Sequence, residues 1–377
     1  SASELVAIPG LNPVIPLGWG ALAFIVALVI HEFGHGLQAR AHGMRIRSFG
    51  LLQLGPLPLG AFAEPQYEEL TSAPSKERMR MFAAGPATNI FAAVVCLNFL
   101  GGLAGQFVAS ESGVHVRGIV QDEGADAAGL QPWDTIQFID EVPVKNVEEF
   151  YNVMDGYAAN DSIAITVRHS GGQVETLTAT LSDKYDYYLG LGWSDSDLAT
   201  LGVERGDPFL GVEGLSGGTA GIDRLAGPLS PRWDGNIMQK SVMVPFHTLS
   251  VLIIPFELQG LAMHPFEESL LEADDNSFAQ ALGTSGLLFL VNLFFWLLWV
   301  NILLGFTNLI PMVPFDGGHM FRDMLRAILK GVKHVGQKLK FWDLNPMWIE
   351  HISSKASNIS SLALLGMILF ILVIPYF

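Results

Sequence analysis

The sequence predicts a polytopic α-helical membrane protein with a membrane-associated β-hairpin and an inserted α+β soluble domain. Half of the 377 residues are hydrophobic, and the mean hydropathy of +0.37 is high for a soluble chain of this size. The charges are segregated, because residues 111–234 hold 21 acidic and 7 basic side chains and so carry −14 of the net charge of −16. We therefore expect membrane helices on both sides of one acidic soluble block.

Four apolar stretches are long enough to cross a bilayer. They are Leu17–Ala41, Met81–Val108, Phe278–Phe306 and Ser360–Tyr376. Val242–Met263 is also apolar, but Pro245 and Pro255 interrupt it. For this fifth stretch we expect a kinked, re-entrant or interfacial element rather than a straight span.

An apolar segment between the first two spans, Ile46–Glu64, contains several Gly and Pro residues. It is too short and too interrupted for a spanning helix, so we predict a β-hairpin at the bilayer edge with its turn near Gly55–Pro56. Backbone groups at that depth need hydrogen-bond partners, which protein, water or an added strand must supply.

The acidic block shows the signals of a small α+β domain. Residues 115–121, 134–140, 162–170 and 173–181 alternate or are β-branched, which predicts strands, and Val147–Tyr157 predicts a short amphipathic helix. The expected domains are residues 1–108 as the N-terminal half of a membrane core, 109–235 as the soluble domain, and 236–377 as the C-terminal half of the core.

Basic residues predict the orientation in the membrane. Six lie between the first two spans and five follow the third span: Arg40, Arg45, Arg47, Lys76, Arg78 and Arg80, then Arg322, Arg326, Lys330, Lys333 and Lys338. By the positive-inside tendency both groups face the cytoplasm, and the acidic block lies outside. Because the chain begins at Ser1 without Met, we expect that upstream residues are missing.

Composition also excludes some functions. The acidic excess disfavours nucleic acid, whose phosphates it would repel, and is explained either by a solvated surface or by a face that binds a basic partner. Cys96 is the only cysteine, so an internal disulfide and a multi-cysteine zinc site are excluded. A metal would have to use histidine and carboxylate ligands.

The first predicted span contains the motif H-E-x-x-H as His31, Glu32 and His35. Residues four apart share one face of a helix, so the two imidazoles can bind one zinc ion, and Glu32 can take a proton from the attacking water. Such a motif can occur by chance on an exposed helix. Here it extends an apolar span, where ionisable residues are costly unless they have a function.

A catalytic zinc site needs a third protein ligand and leaves one position open. The sequence NLIPMVPFDGGH, residues 308–319, follows the third span and contains Asp316. Prolines end the helix there, and the glycine pair allows the backbone to approach a metal or substrate closely. Asp316 is expected at the same membrane depth as the two histidines.

These motifs resemble those of the site-2 protease family of intramembrane zinc metalloproteases, which joins H-E-x-x-H in one span to N-x-x-P-x-x-P-x-D-G in a later one. The resemblance implies that His31, His35 and Asp316 ligate one Zn²⁺ ion and that Glu32 is the general base. His319 is a further candidate ligand or supporting donor.

The family also has a G-P-x-x-N element, present here as Gly85 to Asn89. By resemblance, Asn89 would bind the substrate backbone near the scissile bond. A hydrogen bond between membrane helices is the alternative for Asn89, and the sequence leaves both open.

Residues 124–144, GADAAGLQPWDTIQFIDEVPV, resemble the signature of a PDZ domain, with Trp133-Asp134 in place of the usual Gly-Asp. The resemblance implies binding of an extended peptide by strand addition. Two segments, 187–192 and 209–215, compete as the groove strand.

Together the resemblances imply an intramembrane metalloendopeptidase that cuts membrane-anchored proteins within or next to a transmembrane segment, in regulated intramembrane proteolysis. The expected partners are the substrate, the lipid bilayer and a peptide ligand of the PDZ domain, with no nucleic acid. A catalytically silent scaffold or sensor would be expected to lack Glu32 or a zinc ligand, and a metal transporter would have no use for a PDZ domain.

Overall fold

The computed structural model describes residues 14–54 and 57–373. The chain forms two compact units. The membrane unit holds the described residues up to Gly102 together with Leu225–Ala262 and those from Phe289 onward, and the soluble unit holds Leu103–Arg224 and Met263–Leu288. The boundaries at residues 109 and 235 stay a prediction, and the soluble unit also contains chain from beyond residue 236.

The elements follow one another in three groups. The first is α1 (Leu17–Ala41), β1 (Ile46–Leu54), β2 (Leu57–Pro65), α2 (Tyr67–Ser72) and α3 (Ser75–Ala104). The second is β3 (Phe107–Ala109), β4 (Val114–His115), β5 (Gly118–Ile119), α4 (Gly124–Ala128), β6 (Thr135–Ile139), β7 (Val142–Pro143), α5 (Val147–Met154), β8 (Ser162–Arg168), β9 (Val174–Thr180), β10 (Ser182–Asp183), α6 (Lys184–Gly190), α7 (Asp195–Leu201), β11 (Pro208–Phe209), β12 (Val212–Glu213), β13 (Ser216–Gly217) and α8 (Ala220–Ala226). The third is α9 (Ile237–Ser250), α10 (Ile254–Glu257), α11 (Pro265–Ser269), β14 (Leu271–Ala273), α12 (Ser277–Asn308), α13 (Asp316–Leu339) and α14 (Pro346–Val373).

Within the described residues, five helical stretches are long and apolar enough to cross a membrane. They are Leu17–Ala41, Ser75–Ala104, Ile237–Glu257, Ser277–Asn308 and Pro346–Phe370. The first has the predicted bounds, and three others contain most of the remaining predicted spans; residues 374–376 of the last one lie outside the described residues. The chain is a polytopic helical membrane protein.

The fifth apolar stretch is more helical than its prolines suggested. Pro245 lies inside α9, a 3₁₀ turn at Val251–Ile253 follows, and Pro255 occupies the first turn of α10. A proline removes one hydrogen bond, but neighbouring groups re-satisfy the backbone in membrane helices. The indole N–H of Trp299 donates to the carbonyl of Leu252 at 3.2 Å, within this turn.

The predicted hairpin is present as β1 and β2, which pair antiparallel. Phe49 pairs with Ala63 and Leu51 with Ala61, with register shifts near both ends of the pairing. The predicted turn at Gly55–Pro56 lies outside the described residues. The hairpin contacts the membrane helix α1 mainly through β2.

The soluble unit is built on an antiparallel sheet in the order β13-β4-β6-β8-β9, with β7 paired to β6. Side chains of β8 alternate between buried and partly exposed, because successive residues of a strand point to opposite faces. The buried face packs on α5 through Phe150 and Met154. The strands β6, β8 and β9 and the helix α5 lie where the sequence predicts them, whereas the predicted strand at 115–121 is divided into β4 and β5, and β7 and β13 were not predicted. The unit is an α+β domain.

Trp133, which replaces the usual glycine, has a φ of 73°, in the left-handed region that favours glycine. Its N–H donates to the carbonyl of Val116 at 2.6 Å, so the turn keeps its hydrogen bond. The indole ring stacks on His264 with centroids 4.0 Å apart. This stacking holds the indole ring in place and offsets part of the cost of the left-handed backbone conformation at Trp133.

Candidate metal centre

Helix α1 presents two imidazoles on one face, one helical turn apart. His31 and His35 are 5% and 8% exposed, and their Nε2 atoms lie 3.0 Å apart. The spacing follows from the i, i+4 geometry of the helix, which the sequence predicts.

Asp316 reaches the same point from far along the chain. Its Oδ2 lies 3.1 Å from Nε2 of His31 and 3.2 Å from Nε2 of His35. The carboxylate belongs to the first residue of α13, which follows the proline-containing turn after α12. Among the described residues these three side chains are the group of potential metal ligands within 4.8 Å of one another.

The donor set fits zinc. Four-coordinate zinc holds nitrogen and oxygen ligands at about 2.0–2.2 Å, which separates tetrahedral ligand atoms by roughly 3.3–3.6 Å. The three observed separations of 3.0, 3.1 and 3.2 Å are slightly shorter than this, and all three atoms converge on one point. Two imidazoles and one carboxylate are also a known ligand set of catalytic zinc, which leaves a position for water.

Hydrogen bonds behind the imidazoles orient both rings. Nδ1 of His31 lies 2.6 Å from Oδ1 of Asn89, and Nδ1 of His35 lies 2.8 Å from the carbonyl of Met81. Both partners are acceptors, so each Nδ1 carries the proton and each Nε2 keeps a lone pair directed at the centre.

Glu32 does not join the three ligand atoms. Its carboxylate accepts a hydrogen bond from the backbone N–H of Ala63 on β2, at 2.7 Å. It also lines a cavity of about 250 Å³ between α1 and the hairpin, together with Val29, Phe33, Phe49, Gly50, Ala61 and Phe62. A carboxylate here can exchange a proton with a molecule in that cavity.

Asn89 is fully buried, and its amide is used within the protein. Besides accepting from His31, it donates through Nδ2 to the carbonyl of Ala27 at 3.0 Å and to Oδ1 of Asn301 at 2.7 Å. Asn89 therefore forms hydrogen bonds between membrane helices, which is the alternative that the sequence left open for it. The substrate-binding role stays a prediction, and it would require Asn89 to give up one of these bonds.

Two glycine residues allow close contacts at the candidate metal centre, one between α3 and the imidazoles of α1 and one between α13 and the turn that precedes it. A Cβ on Gly85 would lie 2.4 Å from Nε2 of His35 and 2.7 Å from Nε2 of His31, so only glycine lets α3 pass beside the centre. A Cβ on Gly317 would lie 2.3 Å from the carbonyl oxygen of Leu309. The glycine pair after Asp316 thus permits close packing on the preceding turn, whereas the sequence had suggested an approach to metal or substrate.

A buried ion pair, missed in the sequence, ties α13 to α3. Arg78 donates through Nε and Nη2 to the two oxygens of Asp323, at 2.9 and 2.7 Å, and Asp323 is 0% exposed. Asp323 lies two helical turns after Asp316, so the pair holds the helix that carries the third candidate ligand. Charged residues flanking membrane spans were the available signal for this pair.

Two further residues complete the surroundings. Asn301, a polar residue in the most apolar span, is fully buried beside Asn89, and its polarity in that span could have marked it. His319 does not share the ligand cluster; its ring stacks on Phe82 with centroids 4.8 Å apart.

The chain matches a known family and several known proteins. The family described as "Peptidase family M50" matches residues 19–340. A protein of Mesorhizobium japonicum named "Putative zinc metalloprotease" is 26% identical over 350 residues, which are 81% of this chain and 87% of that protein. One of the same name from Campylobacter jejuni is 24% identical over 343 residues, covering 82% and 84% of the two chains.

Two shorter matches concern parts of the chain. An uncharacterized protein of Methanocaldococcus jannaschii is 40% identical over 77 residues, which are 20% of this chain and 21% of that protein. The solved PDZ domain of an SdrC-like protein from Listeria monocytogenes is 22% identical, covers 28% of this chain and 90% of its own, and has a TM-score of 0.21.

Proposed function

The chain belongs to peptidase family M50, the site-2 protease family, and on that premise we propose that this zinc-dependent membrane metalloprotease cuts peptide bonds within or next to transmembrane segments of membrane-anchored substrates. The observation that carries the proposal is the convergence of His31, His35 and Asp316 on one point at the membrane helix α1. In the proposal these three side chains hold one zinc ion.

Held by His31, His35 and Asp316, a zinc ion would supply a Lewis acid, which lowers the pKa of water to about 7 and polarises a carbonyl. Glu32 acts as the general base: its carboxylate accepts the proton that the attacking water loses and returns it to the leaving amine nitrogen. The location of Glu32 in the cavity between α1 and β2 supports this role. Asn89 and Met81 keep both imidazoles in the tautomer that the site requires.

The hairpin offers an edge to which an unwound substrate can add. The N–H of Ala63 is directed at Glu32 and so does not bond to β1, and Ala61 and Phe62 of the same strand line the cavity beside Glu32. Substrate backbone paired with this edge would keep its polar groups satisfied in lipid, where each unpaired group costs several kcal/mol. The pairing also exposes carbonyls that a helix would shield.

A groove for the peptide ligand is available in the soluble unit. A cavity of about 570 Å³ is lined on one side by α5 residues, including Phe150 and Met154, and on the other by residues 206–212. Of the two competing segments, 209–215 contains β12 and supplies five lining residues, whereas 187–192 supplies only Tyr188 and lies largely in α6, so it is not a groove strand. We assign the extended peptide to this groove. If the domain selects substrates by size, its deletion lets larger ectodomains be cut; if it delivers them, deletion slows every cleavage.

The orientation and the biological role complete the proposal. The basic clusters after α1 and within α13 favour a metal centre toward the cytoplasmic side, with the acidic domain outside. Family membership favours release of a membrane-tethered regulator after an earlier cut.

The central test uses purified full-length protein in nanodiscs with a tagged transmembrane substrate, with and without a zinc chelator. Glu32→Gln should lower the cleavage rate by about 10²–10⁴-fold while the zinc content stays at that of the wild type. Glu64→Gln is the matched control, because Glu64 lies on β2 and is exposed to solvent. Equal cleavage by the Glu32 variant would rule out the base, and cleavage that survives metal removal would rule out the zinc mechanism.

The edge is tested by proline substitutions that remove one outward N–H each. Ala61 lies two residues from Ala63 and so has the same outward direction on β2, whereas its partner Leu51 has its N–H on the opposite edge of the hairpin. Ala61→Pro should block cleavage with zinc retained, and Leu51→Pro should not. If neither variant changes cleavage, substrate does not add to this hairpin.

A further inference from the structure

A cationic cavity lies between α13 and the beginning of α14, within the membrane unit. It has a volume of about 320 Å³ and is lined by Arg326, Lys330, Lys333, Pro346, Ile349 and Glu350. Three cations therefore face one carboxylate, in a chain whose net charge is −16. Neither the zinc centre nor the hairpin uses these residues.

The cations are only partly neutralised by the protein. Arg326 contacts Glu350 and lies 3.4 Å from Asp323, and Nζ of Lys333 lies 3.5 Å from Asp343. Within residues 14–54 and 57–373, Lys330 forms no ion pair and the buried Nε of Arg326 has no hydrogen-bond partner. A buried N–H without a partner is uncommon in proteins. An anion with several acceptor oxygens that enters the cavity would pair with Lys330, next to the positive charges of Arg326 and Lys333.

The surroundings of the cavity indicate where that anion resides. One face of α13 exposes an apolar stripe at helical spacing, made of Met324, Ile328, Val332, Val335 and Leu339, each between 41% and 54% exposed. This helix is not among the five candidate spans of the described chain. At 100° per residue the lining cations of α13 lie on the opposite side from the stripe. An apolar stripe opposite a basic face is typical of a helix that lies in the membrane interface.

Exposed aromatic residues at the connection between α13 and α14 also indicate that this part of the chain lies in the membrane interface. Phe341, Trp342 and Trp348 are 77%, 46% and 63% exposed. Tryptophan in particular is enriched where a bilayer meets water. With the stripe toward the hydrocarbon, the cations lie at the level of the lipid headgroups.

We propose that this cavity binds the phosphate of an anionic phospholipid headgroup. Lys330 supplies the cation that has no ion-pair partner among the described residues, and Arg326 and Lys333 add two further positive charges. A free phosphate has the same chemistry, but the interfacial stripe and the aromatic residues favour a ligand that is already in the membrane. Binding at this cavity requires only that the chain is inserted in a bilayer, not that it cuts a substrate.

The test measures lipid binding to the purified full-length protein by native mass spectrometry, with phosphatidylglycerol and phosphatidylcholine offered together. The wild type should retain phosphatidylglycerol preferentially. Each lysine near an anionic surface contributes about fivefold to binding, so Lys330→Gln with Lys333→Gln should weaken retention by roughly 25-fold. Lys338→Gln with Lys340→Gln is the matched control, because both lysines are exposed nearby and neither lines the cavity. This control should retain the lipid.

Three results would overturn the proposal. Equal retention of the two lipids by the wild type would show that the cavity does not select anionic headgroups, and this measurement does not depend on the folding of any variant. An equal loss in the control variant would indicate a diffuse charge effect rather than a site. Displacement of the lipid by millimolar inorganic phosphate, with no lipid preference remaining, would assign the cavity to a soluble anion.

Discussion

Replacing Asn89 by alanine is the sharpest test of how the candidate metal centre is held. The amide of Asn89 accepts from Nδ1 of His31 at 2.6 Å and donates to Ala27 and Asn301. Alanine removes all three bonds without adding volume. The ring of His31 then loses the partner that fixes its tautomer and its orientation.

The expected loss can be estimated from these contacts. Removing the hydrogen-bond partner of a ligating histidine weakens metal affinity by about 10–100-fold, which is about 1.4–2.7 kcal/mol. The variant also leaves Nδ1 of His31 and Oδ1 of Asn301 buried without this partner, at a cost of roughly 1–3 kcal/mol each in folding free energy. We therefore expect weaker zinc binding and a less stable membrane unit.

The assay is a competition between the purified protein and a chromophoric zinc chelator, with kcat and KM for a transmembrane substrate measured at saturating zinc. Asn98→Ala is the matched control, because Asn98 lies on the same helix and donates only to the local carbonyl of Val94. The control should bind zinc as the wild type does. Unfolding by SDS gives the stability change.

One outcome would refute this reasoning. If Asn89→Ala binds zinc within twofold of the wild type and only KM rises, then Asn89 acts on the substrate, as the family resemblance implied. Its bonds to His31 and Asn301 would then be a resting arrangement that substrate replaces.

Three further predictions address packing and pH. Arg78→Met leaves the buried carboxylate of Asp323 unpaired and should destabilise the membrane unit by about 3–5 kcal/mol in SDS unfolding; a loss below 1 kcal/mol would contradict the anchoring role. Gly85→Ala places a methyl group against both imidazoles and should weaken zinc binding at least tenfold, whereas Gly102→Ala, whose added Cβ meets nothing within 4 Å, should not; equal effects would count against the steric argument. Burial lowers the pKa of His115 from its ordinary value of 6.5 to about 4. The unfolded chain therefore binds a proton more readily than the folded one between these two values, so the soluble unit should have its full folding free energy above pH 6.5 and lose roughly 3 kcal/mol of it as the pH falls toward 4. His115→Leu should remove this dependence, as measured by hydrogen exchange in residues 135–139, and a variant that keeps it would assign the titration elsewhere.

Local features of this protein follow from the sequence alone. The bounds of α1 and the shared face of His31 and His35 were predicted correctly, because both depend on hydropathy and on the repeat of a single helix. The two strands of the hairpin were also predicted, since Gly and Pro exclude a spanning helix from Ile46–Glu64. In the fifth apolar stretch α9 continues through Pro245, and the 3₁₀ turn at Val251–Ile253 then interrupts the α-helix, as expected of an element that is not one straight span.

How the candidate ligands come together could not be predicted from the sequence, because it depends on the tertiary structure. Hydropathy could give Asp316 and the histidines the same depth in the membrane, but depth leaves the rotation and the spacing of the helices undetermined. The rotation and the spacing of the helices bring Asp316 to both Nε2 atoms. They also place Asn89 where it bonds to His31 instead of remaining available to a substrate. They depend on close contacts between residues far apart in the sequence, such as α3 beside the imidazoles at Gly85, and no local pattern records such contacts.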